Sequence, residues 1–418
     1  MKEEQRSLIT VVGIVCLLSV SALAQYGGGT GGPNNPYLIY TAEQMNEIGL
    51  HEEHFDKQFK LMADIDLGSY TGQKFNLIGY VVSLNSPDNR PFTGVFDGNG
   101  HTISNFSYTS TSREYIALFR FVKGEDALIK DLGLIAPDVD AGTGGHVAAL
   151  VAYLRYGTVT NCYVDGGSIS GQAYVGALLG EASGTITNCY STGIVSASNT
   201  GAGGLVGTLL ASMTRCYSRC NVTAKSDVGG LVGECHYIGE ISNCYSTGSV
   251  TGQDRVGGLV GYNRGEVVRC YSTGSVTGTT SVGGLAGLTS GTGGIITHSF
   301  WDIETSSQSA SSGGTGQTTV QMQTLDTFAS AGYDFWNVWI ICEQMNSPVF
   351  IWQLPVGDFV CPDGVDFIDF AFFAARWGQN NCSQGNSYCE GTDLDSSGAV
   401  DTYDLEIFCE NWLKGIIP

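Results

Sequence analysis

The sequence predicts an all-β chain wound as a right-handed parallel β-helix, a solenoid of about 27-residue coils, followed by a small α-helical C-terminal domain. Three observations predict it. A six-residue segment reads Val-Gly-Gly-Leu-Val-Gly at 228–233 and 256–261, with variants at 147–152, 175–180, 202–207 and 282–287. A Cys-Tyr pair keeps step with it at Cys162, Cys189, Cys216, Cys244 and Cys270. Repetition at such a period marks a stacked array in which each unit buries its apolar face against its neighbours. Residues 356–418 then lose this repeat and align on themselves at an offset of 35, matching Asp358 with Asp393, Asp366 with Asp401, Asp369 with Asp404 and Trp377 with Trp412.

Composition narrows the class. The 59 glycines do not fall at every third position, which excludes a collagen helix, and 42% hydrophobic residues exclude a disordered chain. A net charge of −21 repels phosphate backbones and excludes nucleic acid as a partner, while it suits divalent cations. Residues 1–24 carry Lys2 and Arg6, an apolar run over 8–20 and Ala22-Leu23-Ala24 before Gln25. This is the pattern of a secretory signal peptide cleaved after Ala24, because a membrane anchor needs about 20 apolar residues. No later segment is apolar enough to span a bilayer, so the mature chain is expected outside the cell or on its surface.

Residues 25–35 form a Gly-rich linker, and 36–144 an N-terminal cap with irregular coils. Thr41, with Gln44 three residues on, starts a helix to about Leu50, and a strand-like 61–67 follows. Together they cover the first coil's edge, which otherwise invites pairing with another chain. The stretch 92–103 alternates apolar and polar residues around the turn signals Asp97-Gly98 and Asn99-Gly100, and 116–119 and 129–134 continue in that style. Regular coils occupy 145–300, each with three strands typified by 184–190, 193–195 and 202–206. The pattern breaks at Ser299-Phe300-Trp301. Trp336, Trp339 and Trp352 then give the accessory segment 301–355 enough aromatic area to cap the last coil. In 356–418 the helices are expected at about 369–377 and 404–413.

The second loop of that module, 393–404, offers side-chain oxygens from Asp393, Asp395, Ser397, Asp401 and Asp404 at positions 1, 3, 5, 9 and 12, and the carbonyl of Ala399 at position 7. Gly398 stands at position 6 for the sharp turn. Calcium takes six to eight oxygens in flexible geometry, and this is the spacing of an EF-hand-like loop. The first loop keeps Asp358, Asp366 and Asp369 but has Val360 and Pro362 where the second has Asp395 and Ser397, leaving Asp363 to compensate in a weaker site. The duplicated loop–helix unit resembles the type I dockerin. That resemblance implies a calcium-folded module that docks onto a cohesin-like receptor or cell-envelope partner, with Thr402 and Tyr403 selecting it. The Gly-Gly-Leu-Val-Gly coils resemble the GLUG-motif repeats of secreted and surface bacterial proteins, which implies surface or adhesive roles and assigns no reaction.

The ladder cysteines are expected as buried thiols, and Cys220 and Cys235 could pair. Cys361, Cys382, Cys389 and Cys409 suggest two disulfides, with three pairings open. Tyr163, Tyr190, Tyr217, Tyr245 and Tyr271 form a column that either stabilises coil on coil or offers a platform to sugar rings. Catalytic motifs are thin. His51-Glu-Glu-His54 lacks the zinc-protease spacing, and Gln317 stands where a phosphate loop has lysine. Asp138 with Asp140, or Asp165 with Glu181, would act as paired carboxylates only if held across a cleft. The leading expectation is therefore an exported, non-enzymatic binding or scaffold protein anchored through calcium. The alternatives are a carbohydrate-active enzyme on a β-helix, with polysaccharide on the solenoid, and a glycan- or cell-binding adhesin.

Overall fold

The computed structural model describes residues 25–82, 86–361, 364–383 and 386–415; the expected signal segment and Asp363 lie outside the described residues. From Tyr37 to Gln317 the chain winds as a right-handed parallel β-helix whose strands stack into four ladders. One coil supplies Thr185–Thr187, Tyr190–Ser191, Ile194–Gly203 and Val206–Leu209, one strand to each ladder. Register never slips along the columns that matter: Tyr190 pairs with Tyr217 and Tyr217 with Tyr245, while Val206 pairs with Val232 and Val232 with Val260.

Four strands per coil replace the three expected. Thr-Ile-Thr-Asn-Cys-Tyr reads as one strand, but Asn188 takes the left-handed conformation at φ 53° and turns the chain between two ladders. Asparagine is among the few residues that tolerate this region. Asn161 and Asn243 do the same in their coils. Likewise 202–206 is not continuous, because Ile194–Gly203 ends at a turn before Val206–Leu209 begins. The segment around Asp97-Gly98 and Asn99-Gly100 is a coil corner joining Val95–Asp97 to Thr102–Ser104 on separate ladders.

The repeated motif now has a physical reading. A Cβ on Gly229 would lie 1.9 Å from the Val232 carbonyl oxygen, and one on Gly230 would lie 2.1 Å from that of Gly258 in the next coil. Leu231 and Val232 point inward and are fully buried. Glycine stands where backbones crowd, and the aliphatic residues fill the core between. The ladder cysteines are buried free thiols as expected; burial pushes the Cys162 thiol up to about 12. Cys220 and Cys235 are also free and buried, so the suggested bridge between them does not form.

At the N-terminus the helix Ala42–Ile48 is capped by Thr41, whose hydroxyl accepts from the Gln44 backbone N–H at 3.3 Å. Met45 and Ile48 bury against the first coil, and the expected strand 61–67 resolves into Gln58–Leu61 and Ile65–Asp66 on different ladders. At the other end Thr315–Gln317 completes the last coil. The chain then turns back through Leu325–Ala329 and an antiparallel pair, Trp339–Ile340 with Val349–Phe350. These aromatics do not cap the last coil: Trp339 and Phe350 lie along the solenoid's flank against Tyr245, at ring distances of 6.1 and 5.3 Å. The stacked tyrosines present there a continuous apolar stripe for them to bury.

In the C-terminal module the helices are Phe367–Ala374 and Thr402–Glu410, each starting two residues earlier than expected. Asp366 and Asp401 are N-caps, and Asp369 and Asp404 close capping boxes back onto them, so each helix begins inside its loop.

Candidate functional site

The second acidic loop is held closed by its own backbone. Asp393 accepts from the N–H groups of Ser397 at 2.9 Å and Gly398 at 3.0 Å, which wraps the chain around its carboxylate. Asp404 accepts from Leu394 at 2.6 Å, Asp395 at 3.1 Å and Asp401 at 2.8 Å. Gly398, at φ 100°, makes the turn between. Carboxylate oxygens of Asp393, Asp395 and Asp404 thereby converge within 4.8 Å of one another. Asp393 is 3% and Asp404 0% exposed. Two buried like charges beside a third are costly unless a cation or protons neutralise them, so the donor set fits a hard divalent ion. Ser397 and the Ala399 carbonyl lie on the same loop, while Asp401 is spent in capping Tyr403 N–H at 2.9 Å.

The first loop keeps part of this frame. Asp369 accepts from Phe359 and Val360, and Asp358 from Gly364, where the turn glycine sits at φ 104°. Asp366 caps the helix. Among the described residues no third carboxylate joins Asp358 and Asp369. Thr402 and Tyr403 of the second loop are exposed, as are Phe367 and Ile368 at the equivalent places in the first. The cysteine expectation is corrected: Cys382 pairs with Cys389, but Cys361 pairs with Cys342 of the accessory segment and Cys409 is free and exposed. Cys409 lies on the outer face of its helix, whereas Cys361 sits at the junction and ties module to solenoid.

The tyrosine column stacks at 4.8 to 5.0 Å with its rings within 3° of parallel. Tyr217, Tyr245 and Tyr271 are buried beneath the accessory segment, which removes most of the imagined sugar platform. Tyr163 and Tyr190 remain half-exposed beside Asn188 and Trp352, lining a cleft of about 270 Å³. His51 and His54 come within 4.8 Å of Glu53, supplying the third donor not evident in the sequence, but His51 is already held by Glu53 at 2.9 Å and Glu47 at 3.4 Å. Asp138 and Asp140 point outward from one strand, and Asp165 and Glu181 sit on different ladders, so neither pair spans a cleft.

A second constellation escaped the sequence reading. The residue before each motif copy, His146, Tyr174, Gly201, Asp227, Arg255 and Ser281, forms one outer column that Tyr115 extends by one coil, all in the left-handed region. The residue after each copy forms the next, with Tyr153, Glu181, Thr208, Glu234 and Tyr262 in register. His146 stacks between Tyr115 and Tyr174 at 4.5 and 4.9 Å, and its Nε2 meets Glu181 at 2.9 Å. Arg255 pairs with Asp227 at 2.8 Å, and Arg264 with Glu234. Both guanidinium groups lie over Tyr262, at 5.0 and 5.3 Å. Burial, then the carboxylates of Glu234, Glu181 and Asp227, push the Tyr174 hydroxyl above its usual range. The signal was available in the two variable positions that flank an otherwise fixed motif.

With this geometry in view, comparison with known proteins places the repeat. The GLUG motif is matched at residues 226–251 and 252–277. Halomucin of Haloquadratum walsbyi is 31% identical over 162 residues, 38% of this chain and 2% of that protein. A protein of Evansella cellulosilytica, provisionally named a Gly-rich membrane protein, is 32% identical over 151 residues, 34% of this chain and 16% of its own length. The chain thus spans a small part of either relative. A crystal structure of a Bacteroides ovatus protein, provisionally named an immunoglobulin A1 protease, superposes with a TM-score of 0.52 at 21% identity. It covers 78% of this chain and 96% of that one, and the likeness is one of fold. No helix among the described residues is long and apolar enough to cross a membrane.

Proposed function

We propose that this chain is an exported β-helical binding protein whose C-terminal module, folded around calcium, docks it onto a cohesin-like or cell-envelope partner. The observation that carries this reading is the convergence of Asp393, Asp395 and Asp404, two of them buried, on a loop its own N–H groups hold closed. Asp393, Asp395, Ser397, the Ala399 carbonyl and Asp404 would hold the ion, with Asp401 at the helix cap beside them. Calcium would supply the positive charge that lets the two buried carboxylates stay ionised. Thr402 and Tyr403, with Phe367 and Ile368, would then meet the partner as a paired exposed surface. Export rests on residues 1–24, removed after Ala24. A surface location agrees with relatives named for a mucin and a membrane protein.

The test is capture of envelope and secreted proteins by the full chain with and without calcium, beside an Asp393→Ala/Asp404→Ala variant. A partner held only with calcium, and lost in the variant, is the expected result. Equal capture by the variant would leave the acidic loop as a structural terminus.

A further inference from the structure

We infer that the flank carrying Tyr174, Glu181, Asp227, Glu234, Arg255 and Arg264 is a binding site for a neutral polysaccharide chain lying along the solenoid axis. The inference rests on the binding role proposed above and names the ligand class and the face.

Placement is the first argument. On the ladder of Thr185–Thr187 the three central rungs carry only small hydroxyls outward, Thr158, Thr160, Thr185, Thr187, Ser212 and Thr214. Those three rungs stack without help from charge, although Lys130 and Asp97 pair at 3.0 Å nearer the N-terminal end of the same ladder. On this flank five successive rungs instead carry His146, Tyr174, Gly201, Asp227 and Arg255, beside Glu181 and Glu234. Stability does not account for the difference, since for mostly buried charges such as Asp227 and Glu234 the cost of desolvation offsets the attraction to Arg255 and Arg264. Nor does conformation: glycine adopts the left-handed region freely, a residue with a side chain pays roughly 1–2 kcal/mol there, and this chain with 59 glycines uses one in that column only at Gly201.

The chemistry is the second argument. Gly201 and Thr208 make one rung small, while the flanking rungs carry Tyr174 and Glu181 on one side, Asp227 and Glu234 on the other. Thr208 Oγ1, on the rung between the two glutamates, is buried with no hydrogen-bond partner. Carboxylates accept hydrogen bonds, guanidinium groups donate them, and aromatic rings offer a flat apolar face. That mixture complements a sugar ring, whose hydroxyls both donate and accept and whose C–H face is apolar. Three carboxylates and a net charge of −21 disfavour an acidic polymer. The five rungs extend over about 19 Å at the usual strand spacing, which suits a chain better than a single ring.

The test is affinity gel electrophoresis of the full chain in xylan, mixed-linkage β-glucan, galactomannan and, as the acidic comparison, polygalacturonate. Wild type is compared with Glu181→Gln/Glu234→Gln, with Tyr174→Ala, and with Tyr163→Ala on the far flank, each checked by thermal melting. The expected result is retardation by a neutral polysaccharide. Its dissociation constant should rise about tenfold or more in the glutamine pair, as loss of charge-assisted hydrogen bonds implies, with melting unmoved and Tyr163→Ala binding normally. Retention unchanged in the glutamine pair would overturn the assignment of this face. Retention by polygalacturonate alone, or by none of the four, would overturn the ligand class. Calcium-dependent docking is read out separately, so its failure is distinguishable from either result.

Discussion

At Gly230 one added carbon would meet the Gly258 carbonyl of the next coil at 2.1 Å. That carbonyl is backbone and cannot swing away, and the Ser246 side chain stands 3.1 Å from the added carbon. Gly230→Ala should therefore destabilise the solenoid by about 1–3 kcal/mol, the usual cost of overpacking, read as a lower denaturant midpoint at unchanged slope. The same change at Gly100, which has open space around it, tests positive φ alone. The motif's glycines, its inward Leu231 and Val232 and its buried thiols were legible in the sequence because the core repeats the same demand in each coil. Asn188 was not, because one asparagine is a weak corner signal inside an otherwise strand-like Thr-Ile-Thr-Asn-Cys-Tyr, and Arg215 and Arg269 hold the same corner in other coils. Tyr174, Asp227 and Glu234 were hidden for the opposite reason: they vary from copy to copy and meet only when coils stack.

Among the elements, the tyrosine column depends on its cover. Burial pushes the hydroxyls of Tyr217, Tyr245 and Tyr271 above the ordinary phenol range. The neutral ring is thus the form that the fold favours. Its stabilising contribution is complete below the free phenol's pKa of about 10 and is lost as pH rises from there toward the folded value. On alkaline titration, phenolate absorbance from these rings should lag behind that of exposed tyrosines and appear together with loss of the accessory segment's fold. Ordinary titration of all tyrosines with the fold intact would contradict the cover. That the segment would carry tryptophans onto the solenoid was legible from Trp339 and Trp352. Where they would land was not, since only assembled coils create the stripe that Trp339 and Phe350 bury.

At the scale of the whole molecule, solenoid and C-terminal module have separate cores, joined by the Cys342–Cys361 disulfide. If the module folds around calcium as proposed, chelation should unfold it and leave the solenoid's transition where it was. At calcium a thousandfold above Kd the linked stabilisation is about 4 kcal/mol. Hydrogen exchange with and without chelator checks this through the amides of Thr402–Glu410 against those of Val206–Leu209. The duplicated acidic loops were legible because their carboxylates recur at fixed spacing along one short segment, whereas the partner of Cys361 lay outside the repeat that suggested a self-contained framework. The path of the chain has one more consequence. The accessory segment runs back from Phe300 until Trp352 rests on Tyr190, four rungs or about 19 Å along the axis. Around each coil the tyrosine ladder and the Val206–Leu209 ladder are separated by a strand on either side, so they face opposite ways. A body suspended from its waist in this manner would lie down against whatever holds it, like a plank rather than a mast, with its charged side turned outward.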